Sequence, residues 1–466
     1  MKHYSLLLLF IMLGYNYSYS QSADVLQLKK SYEIALTDNT TYDWLRHLSN
    51  QIGGRLSGSL QMQRAVTYTK SSLDHLGLDK VWLQPVLVSK WVRGADAFSY
   101  FETTPGVTTN LPIVALGGSV ATALNGVKAA LIEIQSSEDL EKLGSIGIKG
   151  KIVFFNIRLN PLVIHPMEGY TDYQDALESC IQKAGLYGAV GIIATSPTFS
   201  LDDLTHTGYI SYDNVLASLR IPVAAVSTNS AALLSASLAL NPDINFYFKQ
   251  NCKQLNAIIS HNVIGEIRGT KYPKEIVVLT SHLDSWDLGD GALGSGAGCA
   301  QSIEALRLLL ATEYKPKRTV RVVLFADGEM GLHSVKKYLK GAAEAGENHV
   351  LSLNASLGGL QPIGFHLVGG KAEIKSMESW KPLLEPYGIF ELSSGSDLLY
   401  GQIKIDNTPI SAGLTTNAQQ YFDYHHSEND RFKNVNKRSL AFGSASLASF
   451  IYLFDKYDVP INFHKM

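Results

Sequence analysis

From about residue 256 onward, short apolar runs alternate with longer segments whose apolar residues recur every three to four positions. The runs EIVVLTSH (275–282), TVRVVLFADGE (319–329) and HVLSLNAS (349–356) are typical of strands that are buried on both faces. The segments between them, GAGCAQSIEALRLLLATEY (296–314) and GLHSVKKYLKGAAEAG (331–346), have helical periodicity. This alternation of strand and helix predicts an α/β domain whose parallel strands are joined by right-handed crossovers.

The earlier part of the chain has two regions that differ in their predicted secondary structure. Residues 21–113 contain two predicted amphipathic helices, TTYDWLRHLSNQ and SLQMQRAVTYTKSSLDHLG, and then an alternating strand in which Pro85 favours an edge position. Residues 114–250 repeat strand-then-helix pairs such as IPVAAVST and NSAALLSASLAL. Because this region has its own apolar runs and few clustered residues of catalytic type, we expect a domain inserted into the first, which then continues over residues 251–466.

The first 20 residues have the pattern of a secretory signal peptide. Lys2 and His3 precede an apolar core, Leu6–Leu13, that is too short to span a bilayer. Ser18-Tyr-Ser20 presents small residues at the two positions that a signal peptidase reads. The sequence therefore predicts a mature chain that starts at Gln21 and is secreted or periplasmic. No other segment is long and apolar enough to predict a membrane span.

Composition and charge narrow the function classes. Apolar residues make up 45% and charged residues 18% of the chain, as in a globular protein with a sizeable core. The net charge is −2 and no basic run stands out, so a nucleic-acid partner is not expected. The three cysteines, Cys180, Cys252 and Cys299, are too few and too widely spaced for a disulfide framework or a Cys-rich zinc site, although one bridge stays open.

Polar residues follow the ends of the three predicted strands. His282, Glu329 and Ser356 each lie at or just after such an end, and in parallel sheets these ends meet in one crevice. Asp284 is placed to hold and polarise a metal-binding imidazole at position 282. Taken alone, His282 has two interpretations, a metal ligand or a hydrogen-bonded structural histidine.

The doublet His425-His426 in YFDYHHSENDRF has the same ambiguity. One of the pair is a candidate ligand, and the other interpretation is a polar turn capped by Asp430. The residues themselves do not decide between these two.

Several motifs occur in a fixed order along nearly the whole mature chain: RLSGSLQMQRAVTYTKSSLDHLG, NVIGEIRG, VVLTSHLDSWDLGDGA, GGLQPIGF, GSD at Gly395–Asp397 and QQYFDYHHSENDRFKNVNKRSL. This series resembles the co-catalytic zinc exopeptidases, most closely their carboxypeptidase Q branch. The resemblance implies a zinc-exopeptidase fold, with a mixed, largely parallel central sheet flanked by helices. It also implies that residues 114–250 are an α/β protease-associated domain, that the family's partners are peptides and two zinc ions per chain, and that a homodimer is to be expected.

Carried over residue by residue, the resemblance assigns zinc ligation to His282, Glu329 and His426, with Asp284 as the supporting carboxylate. Three other family positions hold residues that cannot fill their roles. The zinc-bridging Asp falls on Gly294, the general-base Glu falls on Gly328, and a further ligand Asp falls on Ser356.

These losses predict a degenerate metal site. Two zinc ions roughly 3.5–4 Å apart repel each other and need anionic ligands, whereas this chain keeps one carboxylate, Glu329. We therefore expect at most one zinc ion and a peptide- or protein-binding pseudo-peptidase with little or no activity. Within the wider family, the transferrin receptor ectodomain shares the architecture and works as a binding protein.

Two other interpretations remain. The first is an active zinc exopeptidase that hydrolyses dipeptides or short peptides, with Asp290 as a substitute ligand. Asp327 is next to the base position, but neighbouring strand residues point to opposite faces, so it is not expected to replace the base. The second is an interaction module in which His282 and His426 are ordinary polar core residues.

Overall fold

The structure is a computed structural model that describes residues 22–95, 97–395, 403, 405 and 408–459. The expected signal peptide and most of the Gly395–Asp397 motif lie outside these described residues. The helices are α1 (Ala23–Thr37), α2 (Thr40–Arg46), α3 (Leu60–Asp74), α4 (Ser137–Ile148), α5 (Pro166–Leu186), α6 (Thr228–Leu240), α7 (Ala297–Ala311), α8 (His333–Glu344), α9 (Lys371–Glu378), α10 (Lys381–Leu384) and α11 (Lys437–Lys456). The strands are β1 (Lys80–Val92), β2 (Ala97–Thr104), β3 (Val107–Asn110), β4 (Val114–Ala115), β5 (Val127–Ile134), β6 (Ile152–Phe155), β7 (Gly191–Thr195), β8 (Val223–Val226), β9 (Asn245–Gln250), β10 (Lys253–Ile267), β11 (Tyr272–His282), β12 (Arg318–Phe325), β13 (Asn348–Asn354), β14 (Pro362–Val368), β15 (Glu391–Ser394) and β16 (Ser411–Thr416).

One mixed sheet has the strand order β1-β10-β12-β11-β13-β16-β14-β15. Its centre is parallel, because β11 pairs in parallel with both β12 and β13. β10 pairs antiparallel with both β12 and the edge strand β1, which carries Pro85. The predicted α/β fold with a mixed central sheet between helices is confirmed.

Both faces of β11 are buried, which explains its unbroken apolar run. Val277 belongs to the core that also contains Phe450 of α11. Its neighbour Val278 belongs to the core on the other face, which contains Tyr338 of α8. Side chains that alternate between two covered faces are mostly apolar, so the run Ile276–Leu279 shows no polar alternation.

A second mixed sheet has the order β3-β2-β9-β5-β6-β7-β8-β4. The expected domain start at residue 114 leaves out β2 and β3, although β2 pairs antiparallel with β9 and β3 pairs with β2. These pairings place β2 and β3 in the second sheet, while the start at residue 114 stays a prediction. We propose residues 97–250 as the second unit, called here the inserted unit.

Hydrophobic clusters cover both faces of the second sheet, and one of them also contains Leu357, Tyr421 and Phe422 from outside the inserted unit. Leu177 of α5 packs in a cluster with Val153 of β6 on one face of the sheet. Leu234 of α6 belongs to the cluster on the other face. Among the described helices of the whole chain, none combines the length and apolarity needed to cross a bilayer.

Candidate functional site

The topology brings three of the expected site residues to one edge of the larger sheet. His282 is the last residue of β11, Glu329 follows β12, and Ser356 follows β13. Because β11 lies between β12 and β13 in the sheet, their carboxyl ends are adjacent. His426 comes from the loop between β16 and α11 and reaches the same edge.

Asp284 connects His282 to the loop that follows β12. The Nδ1 of His282 lies 3.3 Å from Oδ1 of Asp284 and 3.0 Å from its backbone oxygen. The two carboxylate oxygens of Asp284 accept hydrogen bonds from the backbone N–H groups of Gly328, at 2.8 Å, and Glu329, at 3.0 Å. The fully buried Asp284 therefore fixes the imidazole and the glutamate backbone relative to each other.

Glu329 and His426 contact each other directly. The Nε2 of His426 lies 3.2 Å from Oε2 of Glu329, and their side chains are 12% and 9% exposed. The other ring nitrogen of His426, Nδ1, donates to the backbone oxygen of Thr207 at 3.1 Å. Each nitrogen of the ring therefore has an acceptor, one in each of the two units.

Buried ionisable side chains at this edge shift one another's pKa values. Burial acts to lower the pKa of His282, but the hydrogen bond to Asp284 and the charge of Glu329 outweigh it and raise that pKa above its ordinary value. Burial acts to raise the pKa of Glu329, but the charge and hydrogen bond of His426 outweigh it and lower that pKa.

At Gly328, where the resemblance places the family's general base, the space for a side chain is already filled. A Cβ on Gly328 would lie 2.2 Å from the Cβ and 2.4 Å from the Cγ of His282. Separations this short do not occur between non-bonded carbon atoms. A glutamate at this position would require the loop or His282 to move.

At Gly294, where the resemblance places the bridging carboxylate, there is room for a side chain. The nearest atom to a Cβ on Gly294 would be Oδ2 of Asp430, at 3.7 Å. Asp430 is itself engaged: its Oδ1 accepts from the Leu293 N–H at 2.6 Å and its Oδ2 from the Gly294 N–H at 3.3 Å. Burial raises the pKa of Asp430 to about 6.

Ser356 is buried and hydrogen-bonded to Asn354. Its Oγ accepts from Nδ2 of Asn354 at 3.3 Å, and its N–H donates to Oδ1 of Asn354 at 2.9 Å. A neutral hydroxyl held in this way supplies no charge to offset a dication.

Neither nearby aspartate replaces the missing groups. Asp290 accepts from Arg431 Nη1 at 3.0 Å and from the Phe432 N–H at 3.3 Å. Asp327 accepts from the N–H groups of His333 and Ser334, both at 2.9 Å, at the start of α8. The expectation that Asp327 points away from the site agrees with these contacts, whereas the suggested ligand role of Asp290 finds no support in them.

Arg55 and Trp286 also shape the site, and sequence reasoning did not single out either. The guanidinium of the fully buried Arg55 donates to the backbone oxygens of Leu283, at 2.8 Å, and Gly291, at 3.0 Å. It thereby supports the loop after β11. Trp286 is 4% exposed and its ring centroid lies 5.5 Å from that of His426. An arginine in a short motif is usually solvated, so the sequence gave no signal of its burial.

These donors do not fit a pair of zinc ions. Glu329 is the one carboxylate left at the family's ligand positions, and it is already paired with His426. Over the ranges that the structure describes, no three His, Cys, Asp or Glu side chains converge in a group able to hold a metal ion.

Comparison with known proteins gives the family. A model of peptidase family M28 matches residues 262–450. Carboxypeptidase Q of Xenopus laevis is 30% identical over 400 residues, which cover 84% of this chain and 81% of the relative. Carboxypeptidase Q of Bos taurus is 29% identical over 419 residues, which cover 89% of this chain and 85% of the relative.

Solved structures of peptidases have a similar fold. A peptidase M28 precursor from Shewanella amazonensis SB2B is 29% identical, with a TM-score of 0.86 over 95% of this chain and 99% of that chain. An aminopeptidase from Aneurinibacillus sp. strain AM-1 is 19% identical with a TM-score of 0.64, covering 91% of this chain and 95% of that chain, and shares the fold. The strand-end site, the ordered motifs and the full-length relatives lead to one conclusion: the chain belongs to peptidase family M28, as a carboxypeptidase Q-like member.

Proposed function

We propose that this chain is an exported pseudo-peptidase, which keeps the peptidase fold and binds a peptide or protein partner without hydrolysing it at a significant rate. The observation that carries the proposal is the filled space at Gly328, where His282 occupies the direction that a general base would need. A positioned general base contributes about 10²–10⁴-fold to rate. Its loss alone would reduce turnover severely.

Loss of charge supports the same proposal. Two dications at roughly 3.5–4 Å need several anionic ligands, and Gly294 and Ser356 supply none. A site with Glu329 as its single carboxylate would hold at most one zinc ion. In this proposal His282 and His426 are polar residues that keep the crevice in shape.

A groove on the inserted unit offers a place for a partner's side chain. It has a volume of about 210 Å³ and is lined by Leu177, Ile181 and Ile210 together with Asp175 and Glu178. An apolar or basic side chain suits this lining. Export belongs to the proposal through the signal-peptide pattern of the first 20 residues. A homodimer belongs to it through the resemblance alone, and light scattering of the purified chain tests the dimer.

The alternative is a zinc exopeptidase that works with a single ion. Two histidines and one glutamate form a known catalytic zinc set, and the contact between Glu329 and His426 at 3.2 Å favours it. In that case zinc would polarise the scissile carbonyl and activate water.

The test compares hydrolysis and binding in one preparation. Purified chain equilibrated with zinc is incubated with a dipeptide mixture, and hydrolysis is followed by mass spectrometry, with Glu329→Gln as the matched control. Calorimetry with the same dipeptides measures binding. We expect no hydrolysis above that of Glu329→Gln. Turnover by the wild type that Glu329→Gln abolishes would establish the alternative.

A further inference from the structure

Two segments of the inserted unit reach into the site edge of the larger sheet. Gly117 and Tyr209 form a parallel β-bridge. The N–H of Gly117 donates to Gly208 O, and the N–H of Ile210 donates to Gly117 O, both at 2.9 Å. We call residues 116–118 and 206–210 the clasp.

The clasp holds His426 by its backbone and by its ring. The Thr207 N–H donates to His426 O at 3.0 Å, and Nδ1 of His426 donates to Thr207 O at 3.1 Å. One residue earlier, Nδ1 of His206 donates to His425 O at 2.7 Å. Because Nδ1 of His426 is used as a donor to a fixed carbonyl, its Nε2 must face Glu329.

The clasp also fixes Trp286. A Cβ on Gly117 would lie 2.0 Å from Cη2 of Trp286, so the indole sits directly against the backbone at Gly117. The other side of the indole approaches the ring of His426, at a centroid separation of 5.5 Å. Trp286 and His426 are therefore packed between the clasp and the sheet.

We propose that the clasp of the inserted unit is a positioning element of the site, which orients His426 toward Glu329 and keeps Trp286 against it. His206, which is fully buried, is the positioning residue that carries the hydrogen bond to the His425 backbone. The proposal does not rest on the absence of hydrolysis, because a ligand histidine and a structural histidine would be oriented by the same contacts. Because the clasp is hydrogen-bonded to His426, a displacement of the inserted unit would change the distance between His426 and Glu329.

The test uses two variants and a measurement that reports the ring itself. In ¹⁵N-histidine-labelled protein, NMR resolves the proton-bearing nitrogen of each imidazole, and His426→Gln assigns the His426 signals. Gly117→Ala should displace Trp286 and shift the His426 nitrogen resonances. Gly169→Ala, in α5 of the same unit, is the control, because its new Cβ would have no neighbour closer than 3.9 Å.

His206 provides the second variant. His206→Leu removes the donor to His425 O and should shift the His426 resonances, whereas His206→Asn presents an amide N–H near the position of Nδ1 and should restore them. If Gly117→Ala does not fold, the comparison of His206→Leu with His206→Asn tests the proposal on its own. Folded Gly117→Ala and His206→Leu proteins with His426 signals unchanged from the wild type would overturn the proposal.

Discussion

The backbone of Gly328 is packed so closely on His282 that a Cβ at position 328 would lie 2.2 Å from the Cβ of His282. The loop after β12 is held in this place by Asp284, which accepts from the N–H groups of Gly328 and Glu329. The packing against His282 therefore requires glycine at this position. In the proposed function this is the position of the family's general base, and restoring a glutamate side chain there would also require His282 or the loop to move.

Gly328→Ala should destabilise the protein. Forcing one carbon into a filled space typically costs about 1–3 kcal/mol of unfolding free energy. Gly169→Ala should instead raise the unfolding free energy by about 0.5–1 kcal/mol, because alanine favours the helix over glycine and a Cβ at position 169 meets no close neighbour. Chemical denaturation of both variants measures the difference, and a Gly328→Ala protein as stable as the wild type would contradict the packing.

Restored carboxylates should differ in their effects. Gly294→Asp with Ser356→Asp should raise zinc affinity, because position 294 has room for a side chain. Adding Gly328→Glu should lower stability without a further gain in zinc affinity. Zinc calorimetry and denaturation of the double and triple variants test this. A triple variant that is as stable as the double variant and binds zinc more tightly would show that the loop after β12 moves to accept the glutamate.

Asp430 should make stability depend on pH. Burial raises its pKa from 3.8 to about 6 in the folded chain. The folded state therefore binds the proton more tightly, so the contribution is complete below the unfolded pKa and is lost as pH rises through the folded one. The loss amounts to at most about 3 kcal/mol.

Asp430→Asn removes this titration. The difference in unfolding free energy between the wild type and Asp430→Asn should change in the variant's favour as pH rises from about 4 to about 7. Urea denaturation over that range measures it. A constant difference would mean that Asp430 has an ordinary pKa.

Arg55→Lys should cost about 2 kcal/mol or more. Hydrogen bonds from charged groups contribute roughly 1.5–3 kcal/mol each, and an ammonium group cannot reach the carbonyls of both Leu283 and Gly291. Arg64→Lys, on the exposed side of α3, is the control and should change stability little. If Arg55→Lys and Arg64→Lys changed the melting temperature equally, Arg55 would not be stabilising the loop after β11.

Asp290→Ala should leave zinc content unchanged. Its carboxylate is committed to Arg431 and to the Phe432 N–H. The loss of a half-exposed ion pair costs no more than about 1 kcal/mol. A drop in bound zinc in this variant, measured by mass spectrometry of the metal, would revive Asp290 as a ligand.

The sequence predicted the central strands well because their signal is local. The runs at 275–282 and 349–356 are rich in apolar residues, since both faces of each strand are covered, and they closely match β11 and β13. The position of His282 at a strand end followed directly. The expected start of the second unit at residue 114 leaves out β2 and β3, because these strands have few buried residues and the pairing of β2 with β9 is long-range.

The packing of the site could not be predicted from the sequence. A substitution to glycine at 328 indicates a lost base, but the contact with His282 depends on how two loops meet in space. The hydrogen bond between His426 and Thr207 joins residues more than 200 positions apart. The burial of Arg55 has no counterpart in local pattern, because its partners are backbone oxygens of a distant loop.

The number of zinc ions that each chain binds tightly is the most direct test of the proposed degenerate metal site. The purified protein is dialysed against zinc, passed through a weak chelator to remove loosely held metal, and analysed by inductively coupled plasma mass spectrometry, with Glu329→Gln in parallel. We expect no more than one zinc ion per wild-type chain. Two tightly held ions per chain, lost in Glu329→Gln, would contradict it.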